Sequence, residues 1–444
     1  MKRGVVILIV LAVLIVIVGF FFLNSEPQSS NKDSSSNQIF DFQSAALGEL
    51  CSGEECIEFC LDNRARCESY CRGNYENELC PVIFPPTEAE TERKDYQPEK
   101  EGCEGTKTKF DFAPVNLAET KVFLPLGLMT GSHVTPIDHH YFQNFDNEGY
   151  DIEIYSPGKG IITHIGHMPG AVNGEDYRVV IQHTCTIQSI YIHLGTFVDK
   201  FMKYASDNNG FVSVKIPVEA GELLGYYERN VDYNLVDEEI TLEGFVTPEL
   251  YIGEPWKLHV PNTYDYFNEP VRSELIAKSL RTAEPISGKI DYDIDGKLVG
   301  NWFLEGTGGY AGKSTSREGY WLNHLAIAYD TYDPDRIVFS VAGYEGQDSR
   351  QFGIKGNSPD PADISVENGL VKFELVDYDY IKVDGTIWDR KSLAGDLKTT
   401  SNEVVRGVVL VQMVSDRKIK FEVFPGKTAS QVEGFTENVG MYER

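Results

Sequence analysis

The stretch Tyr177–Leu194 reads YRVVIQHTCTIQSIYIHL. Two runs rich in β-branched and aromatic residues, Tyr177–His183 and Ser189–His193, flank a short polar centre, the pattern of two short strands joined by a turn. Working outward, Ile152–Tyr155 and Gly160–Ile165 have the same character and are bounded by Gly, Pro and Asn. Beyond residue 286 it returns in Leu322–Tyr329, Arg336–Ala342, Leu370–Val376, Val404–Val414 and Lys418–Phe424. One helical pattern interrupts the series, Glu269–Arg281, read as a connector over residues 263–285. These segments predict a mainly β chain of antiparallel sheet. A first core spans residues 114–262, and a closed or sandwiched antiparallel domain spans 286–444. No repeat of fixed period is visible.

The N-terminus carries a different signal. Gly4 to Leu23 is an unbroken run of apolar residues and glycine, preceded by Lys2 and Arg3. Twenty residues of helix span roughly 30 Å, the hydrocarbon thickness of a bilayer. With the basic residues on the near side, residues 1–3 form a cytoplasmic tip, 4–23 a transmembrane anchor, and the bulk of the chain lies outside. The alternative is a cleaved signal peptide, whose apolar region is usually shorter and ends in small residues. This run ends Phe20-Phe21-Phe22-Leu23-Asn24. Residues 24–50 open with polar, serine-rich sequence and read as a flexible stalk, and residues 81–113 as a charged, proline-bearing linker.

The formal charge is −28, from 68 acidic and 40 basic residues. Binding phosphodiester backbones requires clustered Lys and Arg, so nucleic acid is excluded as a partner. Eight cysteines in a chain bound for an oxidising compartment predict disulfides. Six lie together: Cys51, Cys56, Cys60, Cys67, Cys71 and Cys80. Cys56/Cys60 and Cys67/Cys71 each share a helix face, which predicts a stapled helical hairpin over residues 51–80. A four-thiolate metal site is the alternative. Cys103 and Cys185 are left to pair with each other or with that group.

Eight of the nine histidines lie between His133 and His259. Histidine is the commonest protein ligand for zinc and a frequent proton carrier. The order of the residues around them is more specific. The sequence presents His133-Val-Thr-Pro-Ile-Asp138, then Ile154-Tyr-Ser-Pro-Gly-Lys-Gly-Ile-Ile162, Val180-Ile-Gln-His183 and Tyr191-Ile-His-Leu194. Next come Val218-Glu-Ala-Gly-Glu-Leu-Leu-Gly225 and Trp256-Lys-Leu-His-Val260. In that order the elements resemble the lysostaphin-type zinc endopeptidases, which share the duplicated hybrid motif fold. The likeness covers roughly a third of the chain.

The resemblance implies a Zn²⁺ held by His133, Asp138 and His259. Three protein ligands would leave a fourth position for an activated water. It implies that His193 steadies an oxyanion or moves a proton, with His183 as a second recurrent histidine nearby. Two departures stand out. Four residues separate His133 from Asp138 where the family has three. Either a bulge at Pro136 absorbs the extra residue or His139 or His140 takes a ligand role. Lys257 stands where the family has the first His of His-x-His. On a strand it would face the metal beside His259, where an ammonium cannot accept a proton from zinc-bound water. His164 and His167 read as solvent-facing or hydrogen-bonded strand residues, and His324, far from the group in sequence, as structural.

In the C-terminal part, Gly296-Lys-Leu-Val-Gly-Asn-Trp-Phe303 contains a Gly-x-Trp that weakly resembles lipocalin-like barrels. Gly306-Thr-Gly-Gly309 lacks the strand–turn–helix setting that phosphate binding needs. Two functions are expected from this sequence. One is an anchored zinc peptidase acting on cell-envelope peptides. The other is a catalytically silent member of the fold that holds a peptide or glycan or regulates another enzyme.

Overall fold

The computed structural model describes residues 103–168, 175–205, 210–312, 320–346 and 349–444. The expected tip, anchor, stalk, cysteine hairpin (Cys51, Cys56, Cys60, Cys67, Cys71 and Cys80) and most of the linker lie outside the described residues. Among the described residues, no helix is long and apolar enough to cross a membrane.

In the first half the strands are β1 (Val122–Leu124), β2 (His140–Gln143), β3 (Ile152–Tyr155), β4 (Gly160–His167), β5 (Tyr177–Gln182), β6 (Ile187–Leu194), β7 (Thr196–Phe197), β8 (Phe211–Val218), β9 (Leu223–Tyr227) and β10 (Asn230–Asp237). Seven form one sheet in the order β1-β2-β10-β6-β5-β4-β8, and β3-β9-β7 form a second. All of these pairings are antiparallel. Along β10, Val231, Tyr233 and Leu235 alternate with Asp232, Asn234 and Val236. The first set enters a core with Phe123, Phe142, Tyr191 and Leu275, so the second set faces the other side of the sheet. Burying each such large apolar side chain contributes ~1.5–3 kcal/mol.

The second half adds β11 (Gly300–Leu304), β12 (His324–Tyr329), β13 (Ile337–Ala342), β14 (Ser349–Ile354), β15 (Leu370–Val376), β16 (Asp379–Ile381), β17 (Lys398–Thr400), β18 (Val405–Ser415), β19 (Lys418–Pro425) and β20 (Gly440–Glu443). Eight of them, β11 to β15 and β18 to β20, close into a barrel. Closure depends on β11 meeting β20, Phe303 opposite Glu443 and Leu304 opposite Tyr442. Trp302, Phe339, Phe352, Phe373 and Phe421 belong to its core. Trp302 of the Gly-x-Trp donates its indole N–H to Leu298 O at 2.8 Å, and the guanidinium of Arg444 lies 4.2 Å from its ring centroid.

Three expectations need correction. Residues 103–113, read as the end of a linker, form a strap on the first core: Phe110 is buried, bridges to Phe267, and exchanges backbone hydrogen bonds with Tyr266 and Asn268. A disulfide joins Cys103 to Cys185. The connector is helical only at Thr263–Tyr266, as a 3₁₀ turn, and at Val271–Ile276, because the chain beyond turns to bridge Ser279 with Phe123. Most consequential for the site, Trp256–Val260 is not the closing strand. Pro255–His259 forms a 3₁₀ helix, with Pro255 suited to its first turn and unable to donate to a ladder. The strand position between β2 and β6 belongs to β10.

Candidate functional site

Asp138 lies just before β2, and its carboxylate is fully engaged. Oδ1 accepts from Lys257 Nζ at 2.7 Å and from His139 Nδ1 at 3.2 Å. Oδ2 accepts from Asn234 Nδ2 and from the Trp256 indole, each at 3.1 Å. Burial alone would raise this carboxyl. The charge of Lys257, followed by the hydrogen bond and charge of His139, overrides it and holds Asp138 far below the usual carboxylate range.

Lys257 is itself buried, at 5% exposure. Its ammonium also lies 3.2 Å from Glu254 Oε2 and 4.4 Å from the ring centroid of Tyr310, in the segment after β11. A 3₁₀ helix crossing the sheet face delivers it, with Trp256 packed on Val180, Ile190 and Val236. Beside the ion pair, Phe303 of the barrel strand β11 shares one apolar cluster with Tyr251, Val260 and Tyr310.

From Asp138 a chain of polar contacts runs outward. His139 Nε2 is 3.0 Å from Tyr141 Oη and 3.3 Å from Asp232 Oδ2. His193 Nε2 lies 3.6 Å from the same Asp232 oxygen, and His193 Nδ1 donates to Asp176 Oδ2 at 2.9 Å. Burial raises the Asp232 carboxyl, against the opposing charges of His139 and His193. Burial pulls His193 down, but the hydrogen bond to Asp176 and the charge of Asp232 lift it to about 8. His193 is held at φ 70°, a left-handed conformation uncommon for a residue with a side chain. Its side chain is 45% exposed, which makes it the wet end of the chain.

The residues expected from sequence divide sharply. Asp138, Lys257 and His193 come together, with His133 alongside: its Nε2 is 3.4 Å from Tyr141 Oη, and its ring 5.6 Å from that of His139. Burial, with the charges of His139 and Lys257, pushes His133 down to about 3. His259 does not join them. Its Nδ1 donates to Ile240 O at 2.6 Å, because the 3₁₀ helix turns it toward the loop after β10.

His183 is not part of the cluster either. Its Nδ1 donates to Lys159 O at 3.0 Å, leaving Nε2 to accept from Ser189 Oγ at 2.8 Å. His140 is occupied in the same way by Leu124 O and Thr263 Oγ1, each at 2.9 Å. The nitrogens of both rings are committed within the fold.

The zinc set therefore does not fit. One expected ligand is turned away, and an ammonium occupies the face of Asp138 where a divalent cation would bind. Among the described residues, no three His, Cys, Asp or Glu side chains are arranged to hold a metal ion.

The sequence reading missed Asp232, Asn234, Asp176, His139 as the bridge between carboxylates, and Glu254. The period-two alternation Val231-Asp-Tyr-Asn-Leu-Val236 was the available signal for the first two. No protein-family profile matches the chain, and no characterised protein matches its sequence.

Proposed function

We propose that this chain is a catalytically silent relative of the lysostaphin-type peptidases. It is held at a membrane by residues 4–23 and uses its extracytoplasmic sheet face to bind a cell-envelope peptide or glycan. The observation that carries the reading is the Lys257–Asp138 ion pair. A fixed positive charge at 2.7 Å supplies the electrostatic partner that Asp138 would otherwise seek in a metal, without a Lewis-acid site or an activated water. What remains is a polar cluster whose outer members, His193 and Asp176, present a donor and acceptors to a ligand. Nearby, Arg178 lies over Trp256 and the exposed ring of Phe211, a surface suited to sugar rings or peptide planes.

The test uses the full chain in neutral detergent, supplied with zinc and offered cell-envelope peptides and glycans. The expected result is saturable binding without hydrolysis, with binding weakened in His193→Ala. Zinc-dependent hydrolysis abolished by Asp138→Asn would overturn the proposal, as would absence of binding to every such ligand.

A further inference from the structure

The opposite end of the seven-stranded sheet carries a second concave feature, remote in strand order from Asp138. There the strap beginning at Cys103 passes over the ends of β4, β5 and β8. It is pinned by the disulfide to Cys185, by Cys185 N donating to Gly105 O at 2.8 Å, and by Thr186 Oγ1 donating to Thr106 O at 3.0 Å. Between strap and strands lies a cleft of about 1250 Å³. That exceeds the ~300–1,000 Å³ of ordinary small-molecule pockets and suits an oligomer.

Its charge is inverted relative to the chain. Overall, acidic residues outnumber basic ones 68 to 40. The cleft is lined by Lys107, Lys109, Lys159 and Lys215 against only Glu104 and Asp111. Asp111 accepts from Asn268 Nδ2 at 2.8 Å, and Lys109 donates to Asp265 O, so both are partly committed. Lys107 and Lys159 are exposed, one on the strap and one on the turn before β4. At the floor, Gln182 is 5% exposed, and its side-chain oxygen is buried with no hydrogen-bond partner among the described residues. Lysines on the rim call for anionic groups, and an unmatched acceptor in the floor calls for a hydroxyl or N–H.

We infer that this cleft binds an anionic glycan, a polysaccharide carrying carboxylate or phosphate groups along a hydroxyl-rich backbone. Acidic groups meet Lys107 and Lys159, and a sugar hydroxyl donates toward Gln182. The inference stands independently of the Asp138 cluster, since neither lysine touches it.

The experiment measures fluorescence anisotropy of labelled oligogalacturonate with the full chain in neutral detergent, in parallel with neutral dextran, inorganic phosphate and phosphatidylglycerol vesicles. Expected is saturable binding of oligogalacturonate that weakens with added salt and is not displaced by dextran. Lys107→Glu/Lys159→Glu lowers the affinity roughly tenfold, and Lys107→Gln/Lys159→Gln lowers it less, both with an unchanged thermal midpoint. Four results would overturn it: no binding of oligogalacturonate, equal binding of dextran, affinity unchanged in both double variants, or a preference for vesicles or inorganic phosphate over the glycan.

Discussion

Lys257 Nζ lies 2.7 Å from Asp138 Oδ1, and both side chains are almost wholly buried, 6% and 5% exposed. Two charges taken out of water at that separation depend on each other more than on anything around them. Lys257→Met should therefore destabilise the protein by about 3–5 kcal/mol by leaving Asp138 uncompensated. Adding Asp138→Asn to it should recover much of that loss. Urea unfolding of the two variants measures the difference; equal loss in single and double variants would contradict the mutual dependence.

His193 offers a titration with a definite sign. Its pKa is raised to about 8 from the ordinary 6.5. The favourable interaction of the charged ring with Asp176 and Asp232 is fully present below pH 6.5 and is lost as pH rises through 8. Ring-proton NMR should show this titration near 8, and Asp176→Asn should move it down. An unmoved midpoint in that variant would show that Asp176 is not the partner that matters. The side chain is half exposed, so the effect on global stability is small.

Four other histidines pull in the opposite direction. Burial pushes His133, His140 and His324 down to about 3 and His183 down to about 4. Each stays neutral in the fold but takes up a proton on unfolding below about pH 6.5. Their contribution is intact above that pH and falls as the medium is acidified toward the folded values, by up to about 1.4 kcal/mol per pH unit for each. The denaturation midpoint should accordingly drop between pH 6.5 and 4, and His324→Asn should make the drop shallower. A flat profile over that range would count against neutral burial.

The disulfide closes a loop with a sequence separation of 82. In the chain-entropy view a loop of that size stabilises the fold by roughly 4 kcal/mol. Cys103→Ser/Cys185→Ser should lose a comparable amount in chemical denaturation and free the strap for proteolysis near Lys107. Wild-type resistance to trypsin in that variant would mean that Phe110 alone suffices to hold it.

Strand identity was legible wherever β-branched runs were bounded by turns: Leu370–Val376 is a strand over the same residues in the structure, and Lys418–Phe424 differs by one residue. A closed or sandwiched C-terminal domain was expected, but the choice of the barrel was not legible, because the Phe303–Glu443 pairing joins residues 140 positions apart and leaves no local trace. The site was half legible. Asp138, Lys257 and His193 were singled out, but His-like spacing around residue 257 drew attention to a segment that Pro255 turns into a 3₁₀ helix. The strand at the centre, β10, carries Asp and Asn on its site face, types that read as loop residues when propensity is taken alone.

The bond between Cys103 and Cys185 also sets the path of mechanical load. Tension applied upstream of residue 103 crosses directly to Cys185, at the turn between β5 and β6. Residues 104–184 then hang as a closed loop outside the line of force. That loop contains β1, β2, β3, β4 and β5, together with Asp138, His139 and the lysines of the strap. A pull on the chain before residue 103 therefore loads β6 and the later strands, and leaves Asp138, His139, Lys107 and Lys159 outside the covalent line of force.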